Sequence, residues 1–236
     1  MKFIVYENPK QIGDHIGKEI VDLLKHNPKA ILGLATGSSP LPVYDYLAKA
    51  FEAKEVSFKD CYSFNLDEYI NPPFEEATYR YFMKENLFSR VDMNLSHTHF
   101  PSFENMDTYD NEIASMGGVD LQILGIGRDG HIGFNEPNTS FDSKTHTTPL
   151  EESTRIANAR FFHSLEETPH EAITMGLGTI MQSKHIVLIA SDLTKVDAIK
   201  ALLKGEKDLQ WPATVLLDHP STEIFVTKEV FDEANK

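Results

Sequence analysis

Cysteine is almost absent from this chain. Cys61 stands alone among 236 residues, so no intramolecular disulfide can hold the fold. It opens a short apolar run, CYSF, with no activating base beside it, and reads as a small buried hydrophobe rather than a nucleophile. Long apolar runs are missing too. None approaches the ~20 residues of a membrane span, and the N-terminal MKFIVY is too short for the core of a secretory signal. The expected setting is the cytoplasm. Positive charge is scarce: 22 Lys and Arg stand against 36 Asp and Glu, a net of −14. Nucleic acids and anionic membranes are both bound through clustered Lys and Arg, so neither is an expected partner. A small anion remains admissible, because it needs only a local group of cations.

Several signatures of chemistry are also missing. There is no HExxH and no paired CxxC, and His97 and His99 lack an evident third ligand, so no metal framework emerges. There is no GxSxG elbow for a serine nucleophile. No internal repeat or low-complexity tract breaks the chain. The sequence predicts neither a metal nor a cofactor.

What is present is an alternation of short apolar runs with helical periodicity. Met1–Tyr6, Ala30–Ala35, Cys61–Leu66, Leu121–Gly125, His185–Ala190 and Glu223–Thr227 read as strands. Ile12, Ile16, Ile20, Leu23 and Leu24 share one helix face, as do Val43, Tyr44, Leu47 and Phe51, and Val196, Ile199, Leu202 and Leu203. A further helix is expected near Met106–Met116, and another closes the chain. This order predicts an α/β fold with a mostly parallel sheet and helices on both faces. The whole chain, 1–236, is expected to form a single domain, since α/β folds of this length often do.

In such sheets ligands bind beyond the carboxyl ends of the strands, so the residues just after each strand are the candidates. Gly37, Ser38 and Ser39 follow Ala35, and Pro40 suits the start of a helix. This turn fits either a phosphate-binding helix N-terminus or an ordinary cap. It is not a P-loop, since no Gly-Lys-Ser/Thr follows. Asp67 and Glu68 follow Leu66; a carboxylate there is a candidate general base, or a solvated loop acid. Gly125–Gly130 spells GxGxxG, but the residues that follow, HIGFNEPN, form a breaker-rich loop rather than a helix. The dinucleotide reading therefore fails. What remains is Asp129, His131 and Glu136, a set suited to proton relay. Lys195 follows the strand ending at Ala190, in a first helical turn where a cation opposes the helix dipole. That placement makes sense if it meets an anion. Of only five arginines, two lie in TRIANARFF, as Arg155 and Arg160, and the surrounding stretch from 150 to 171 reads as a mobile cover.

Four motifs together resemble the glucosamine-6-phosphate deaminase (isomerase) family: LGLATGSSP at Leu32–Pro40, FNLDEY at Phe64–Tyr69, GIGRDGHIGFNEP at Gly125–Pro137 and TRIANARFF at Thr154–Phe162. The resemblance implies a Rossmann-like three-layer fold and the conversion of glucosamine 6-phosphate and water to fructose 6-phosphate and ammonium. It implies Asp67 as the base that moves the C2 proton to C1. It implies His131 as the group that opens the sugar ring, assisted by Asp129 and Glu136. Gly37, Ser38, Ser39, Arg160 and Lys195 would hold the substrate phosphate. Allosteric members carry extra basic residues after FNEP and a longer C-terminal region, whereas this chain has His146 and Thr148 and ends soon after Glu229. A monomer or small homo-oligomer is expected rather than the allosteric hexamer. Two alternatives stand beside this reading. A 6-phosphogluconolactonase resembles the fold and shares the DGH segment, but would continue as Ala-Ser-Leu-Phe. A sugar-phosphate sensor would bind without turnover.

Overall fold

The computed structural model describes residues 1–159 and 162–236. In chain order the strands are β1 (Lys2–Tyr6), β2 (Ile31–Leu34), β3 (Tyr62–Asn65), β4 (Asp67–Tyr69), β5 (Thr98–His99), β6 (Leu121–Gly125), β7 (His146–Pro149), β8 (Glu171–Thr174), β9 (Ile186–Ala190) and β10 (Thr222–Thr227). The helices are α1 (Pro9–His26), α2 (Leu41–Glu52), α3 (Tyr79–Asn86), α4 (Met106–Ser115), α5 (Glu152–Asn158), α6 (Leu177–Ile180), α7 (Val196–Leu203) and α8 (Lys228–Ala234).

Seven strands form one sheet in the order β1-β10-β9-β6-β2-β3-β5, and every pairing in it is parallel. Helices flank this sheet and bury it, which explains the unbroken apolar runs: β2 and β9 are buried at every position. The helices dock by their apolar stripes. In α1, Ile12, Ile16, Ile20 and Leu24 are buried, and Asn8 starts the helix by accepting the Gln11 N–H at 3.0 Å. The expected strands and helices all form, within one or two residues of their sequence bounds. None of the described helices is long and apolar enough to cross a membrane.

The winding reverses between two neighbouring strands. From β2 the sheet grows outward through β3 to β5; from β6 it grows the other way through β9 to β10. A crevice opens at the carboxyl ends of β2 and β6, the place where open α/β sheets take their ligands.

The sequence does not reveal a second, antiparallel sheet of β4, β8 and β7. Leu66 joins the two sheets. Its N–H donates to Leu34 O at 3.2 Å in the parallel sheet, and its carbonyl accepts the Met175 N–H at 2.6 Å beside the small one. The chain turns at that residue, which sets Asp67 where the two sheets meet. Tyr69, Phe134, Leu150, Phe162 and Ala172 form a small separate core under this sheet. It ties the start of the 150–171 segment to the loop that carries His131.

Candidate active site

A cavity of about 660 Å³ lies at the reversal point. Its walls are the segments that follow β2, β3, β6 and β9, together with Thr154 and Asn158 of α5. Asp67, Asp129 and His131 line it, as do Gly37, Ser38, Ser39 and Lys195. Glu136 lies behind His131, with 5% of its surface exposed.

The loop after β6 builds an acid–base group. His131 Nδ1 stands 2.7 Å from Asp129 Oδ1 and 3.4 Å from Glu136 Oε2. Burial alone would push the imidazole toward its neutral form, and that is the largest single influence on it. Hydrogen bonding and charge from Asp129 and Glu136 together outweigh burial and push the group up to about 9. His131 is thus held as a cation at neutral pH. For Asp129, burial raises the carboxyl, but the hydrogen bond and charge of His131 prevail and hold it below the usual carboxylate range. Gly127 makes the geometry possible. A Cβ at that position would lie 2.3 Å from His131 Cε1, and the Gly127 N–H donates to His131 O at 2.8 Å. Only glycine lets the backbone pass so close to the ring.

The adjacent acids of β4 divide their work. Glu68 Oε1 accepts the N–H groups of Tyr69 at 3.0 Å and Tyr79 at 2.8 Å, and Oε2 accepts that of Arg80 at 3.0 Å. It therefore caps the first turn of α3, where the N–H groups have no partner within the helix. Asp67 faces the cavity. Burial, then the charge of Glu68, push its carboxyl up to about 8 against the opposing pull of His131. A carboxylate so poorly solvated is a strong base once ionised. Replacing Glu68 by Ala is expected to lower stability by about 2 kcal/mol through stranded N–H groups. Asp67 keeps its place in that variant, so a urea melt should move while most of the activity remains.

At the other end of the cavity the turn after β2 has Gly37 at φ +92°. A Cβ there would meet nothing within 4 Å, so the demand for glycine is one of backbone conformation alone. Lys195 ends the turn Leu193–Lys195 and stands at the N-cap position of α7. Asp192 caps that turn by accepting the Thr194 N–H at 3.0 Å. The structure thus brings Gly37, Ser38, Ser39 and Lys195 to one cavity with Asp67, Asp129 and His131. Arg160 lies outside the described residues.

A family model described as glucosamine-6-phosphate isomerases/6-phosphogluconolactonase matches residues 7–226. This chain belongs to that family. Among its relatives, a glucosamine-6-phosphate deaminase of Malacoplasma penetrans (strain HF-2) is 44% identical, covering 95% of this chain and 97% of the relative. One of Oceanobacillus iheyensis is 40% identical, covering 99% and 96%. A solved structure of a monomeric glucosamine-6-phosphate deaminase superposes with a TM-score of 0.95 at 35% identity, covering 99% of this chain and all of that one. A 6-phosphogluconolactonase from Thermotoga maritima shares the fold at a TM-score of 0.75 and 23% identity, covering 96% and 99%.

Within this family fold, sequence reasoning missed part of the cavity wall. Arg128, Tyr79, Thr154 and Asn158 line it. Arg128 lies inside the GRDGH motif and could have been noticed as a cation next to the acids; Thr154 and Asn158 lie inside TRIANARFF, where attention went to the arginines, and Tyr79 carries no local signal. Among the described residues, two groups bring three potential metal ligands within 4.8 Å of one another: Asp129 with His131 and Glu136, and Glu19 with His185 and Glu223. In the first, a protonated His131 Nδ1 faces both carboxylates and has no lone pair to offer. In the second, His185 Nε2 pairs with Glu19 at 3.1 Å and Lys2 pairs with Glu223 at 3.5 Å, an internally balanced set of charges whose residues do not line the cavity.

Proposed function

We propose that this chain converts glucosamine 6-phosphate and water to fructose 6-phosphate and ammonium. One observation carries the reading: a buried carboxyl, Asp67, pushed up to about 8, and an imidazolium, His131, pushed up to about 9, share one cavity. An aldose–ketose shift needs such a pair, since it moves protons between carbon and oxygen and can run on acid–base catalysis alone.

The Gly37–Ser39 turn, Lys195 and Arg160 hold the phosphate, and this binding energy orients the reacting carbons. His131 gives its proton to the ring oxygen and takes the C1 hydroxyl proton in return, and the ring opens to the aldehyde. Asp67 then takes the proton from C2, the electron pair of that C–H bond forms the C1–C2 double bond of an enolamine, and the C1 carbonyl oxygen takes up the His131 proton to become a hydroxyl. Asp67 returns the proton to C1, which leaves an imine at C2. Water adds to the imine carbon and ammonia departs, taking up a proton as ammonium. The reaction is an isomerisation followed by hydrolytic loss of nitrogen.

Sequence identity to deaminases above 40% supports this reading over lactone hydrolysis, and so does Glu136, which gives His131 its second carboxylate. Parallel assays test it. Ammonium release from glucosamine 6-phosphate is expected, with no hydrolysis of 6-phosphogluconolactone. The opposite pattern would overturn the reading in favour of a lactonase, and binding without turnover would favour a sensor.

The same reading makes residues 1–236 one catalytic domain, working in the cytoplasm on phosphorylated sugars, with 150–171 as a lid over the cavity. The likeness to a monomeric deaminase supports a monomer or small homo-oligomer. Light scattering is expected to give a mass well below that of a hexamer, and kinetics are expected to be hyperbolic. A hexameric mass, or sigmoidal kinetics relieved by N-acetylglucosamine 6-phosphate, would refute this.

A further inference from the structure

We infer that Thr154 is a positioning residue whose hydroxyl holds Glu136 in the orientation that completes the His131 proton relay. This rests on the acid–base reading above and adds a residue that the resemblance does not supply.

Thr154 belongs to α5, on a different element from the loop that carries Asp129, His131 and Glu136. Both Thr154 and Glu136 are 5% exposed. Thr154 Oγ1 donates to Glu136 Oε1 at 2.8 Å, while Glu136 Oε2 stands 3.4 Å from His131 Nδ1. The two oxygens of one rigid carboxylate thus have separate tasks. Thr154 fixes the first, and the second is thereby aimed at the imidazole. Among the described residues, Oε2 has no well-aligned hydrogen bond of its own and is drawn only by the charge of His131, so the short bond from Thr154 is what fixes the orientation of the group.

The chemistry of the donor suits the role. The Cβ branch leaves threonine two side-chain rotamers in a helix, and here its hydroxyl occupies the one that reaches Glu136. A neutral hydroxyl satisfies a buried carboxylate without adding a cation that would compete with His131 for it. Lysine or arginine in the same place would draw Glu136 away. Thr154 also lines the cavity, so α5 contributes to the relay from outside the loop that carries His131.

The test uses Thr154→Val, which keeps the shape and removes the hydroxyl, and Thr154→Ser, which keeps the hydroxyl. A buried carboxylate oxygen stripped of its donor turns toward water, and Oε2 then leaves His131. In an NMR titration of the His131 imidazole, the Val variant should therefore titrate about one pH unit lower than wild type, and the Ser variant close to wild type. Ammonium release should fall about 10-fold in kcat/KM for Val, with its alkaline limb moved the same way, and recover in Ser. A Val variant that melts earlier but leaves the His131 titration unmoved would reduce Thr154 to a packing residue and overturn the inference. So would a Ser variant no better than Val. If wild type releases no ammonium, the deaminase reading falls, and the titration still decides the role of Thr154.

Discussion

Replacing Asp67 by Asn is expected to cut ammonium release from glucosamine 6-phosphate by at least ~10²-fold and, at the same time, to raise the melting temperature. Both follow from one placement. Asp67 is 7% exposed, at the bend where the chain leaves the parallel sheet for the antiparallel one. Burial and Glu68 push its carboxyl from an ordinary 3.8 up to about 8. Asn keeps the shape and volume but cannot take a proton from carbon. The sign of the stability effect is set by linkage. The folded protein binds the Asp67 proton more tightly than the unfolded chain does, so ionising this group opposes folding. The penalty is absent below about pH 4, grows as pH rises toward 8, and is complete above it. With about 1.4 kcal/mol per unit of pKa difference, it amounts at most to roughly 6 kcal/mol. The Asn variant escapes it, and its advantage in melting temperature should widen over that interval. On the proposed mechanism the same group shapes the rate. In the free enzyme the base is ionised only above about 8 and the His131 acid is lost above about 9, so kcat/KM should peak between them. A variant with near-normal turnover would remove Asp67 from the mechanism. A melting advantage that does not change with pH would show that its carboxyl is not held protonated by burial.

The large sheet was legible in the sequence because its strands are buried on both faces and read as unbroken apolar runs such as ILGL and IVLIA. The rule that ligands bind beyond the carboxyl ends of such strands then led directly to Gly37, Asp67, Asp129, His131 and Lys195. The small sheet was not legible. Its strands read DEY, HTTP and EAIT, too short for any period to show, and they pair across a separation of more than a hundred residues at Asp67 and Thr174. Missing β4 also hid the division of labour between its two acids. Successive side chains of a strand point to opposite sides. Had β4 been seen, one acid would have been assigned to the cavity and the other away from it, and Glu68 would not have stood beside Asp67 as an equal candidate. Thr154 opens the TRIANARFF motif, but nothing in the motif gave its hydroxyl a partner. It meets Glu136 only because α5 folds over the cavity, and no local pattern in the sequence marks that encounter.

Gly127→Ala is the second substitution expected to be severe, although it adds a single methyl group. The backbone at Gly127 is not in the left-handed region, so alanine suits its conformation. The conflict is one of contact: the new Cβ would lie 2.3 Å from His131 Cε1 and 2.4 Å from Nδ1. The loop cannot yield easily, because the Gly127 N–H is bound to His131 O at 2.8 Å. The ring must move instead, and Nδ1 leaves the 2.7 Å contact with Asp129. Displacements of this size at a reacting group cost on the order of 10²-fold in rate, and kcat/KM should fall by about that much. The His131 titration should drop from about 9 toward its ordinary 6.5. Stability provides an independent check with a definite sign. A histidine whose folded pKa is raised stabilises the fold fully below its unfolded value, and that contribution is lost as pH rises through the folded value. Wild type should therefore exceed the variant in melting temperature most below about pH 6.5, and the gap should narrow as pH passes through about 9. What persists above that pH is the cost of the clash itself. A gap that stays constant across the range, with His131 titrating as in wild type, would mean that the loop had absorbed the methyl group and that Gly127 is not what brings the imidazole to its carboxylates.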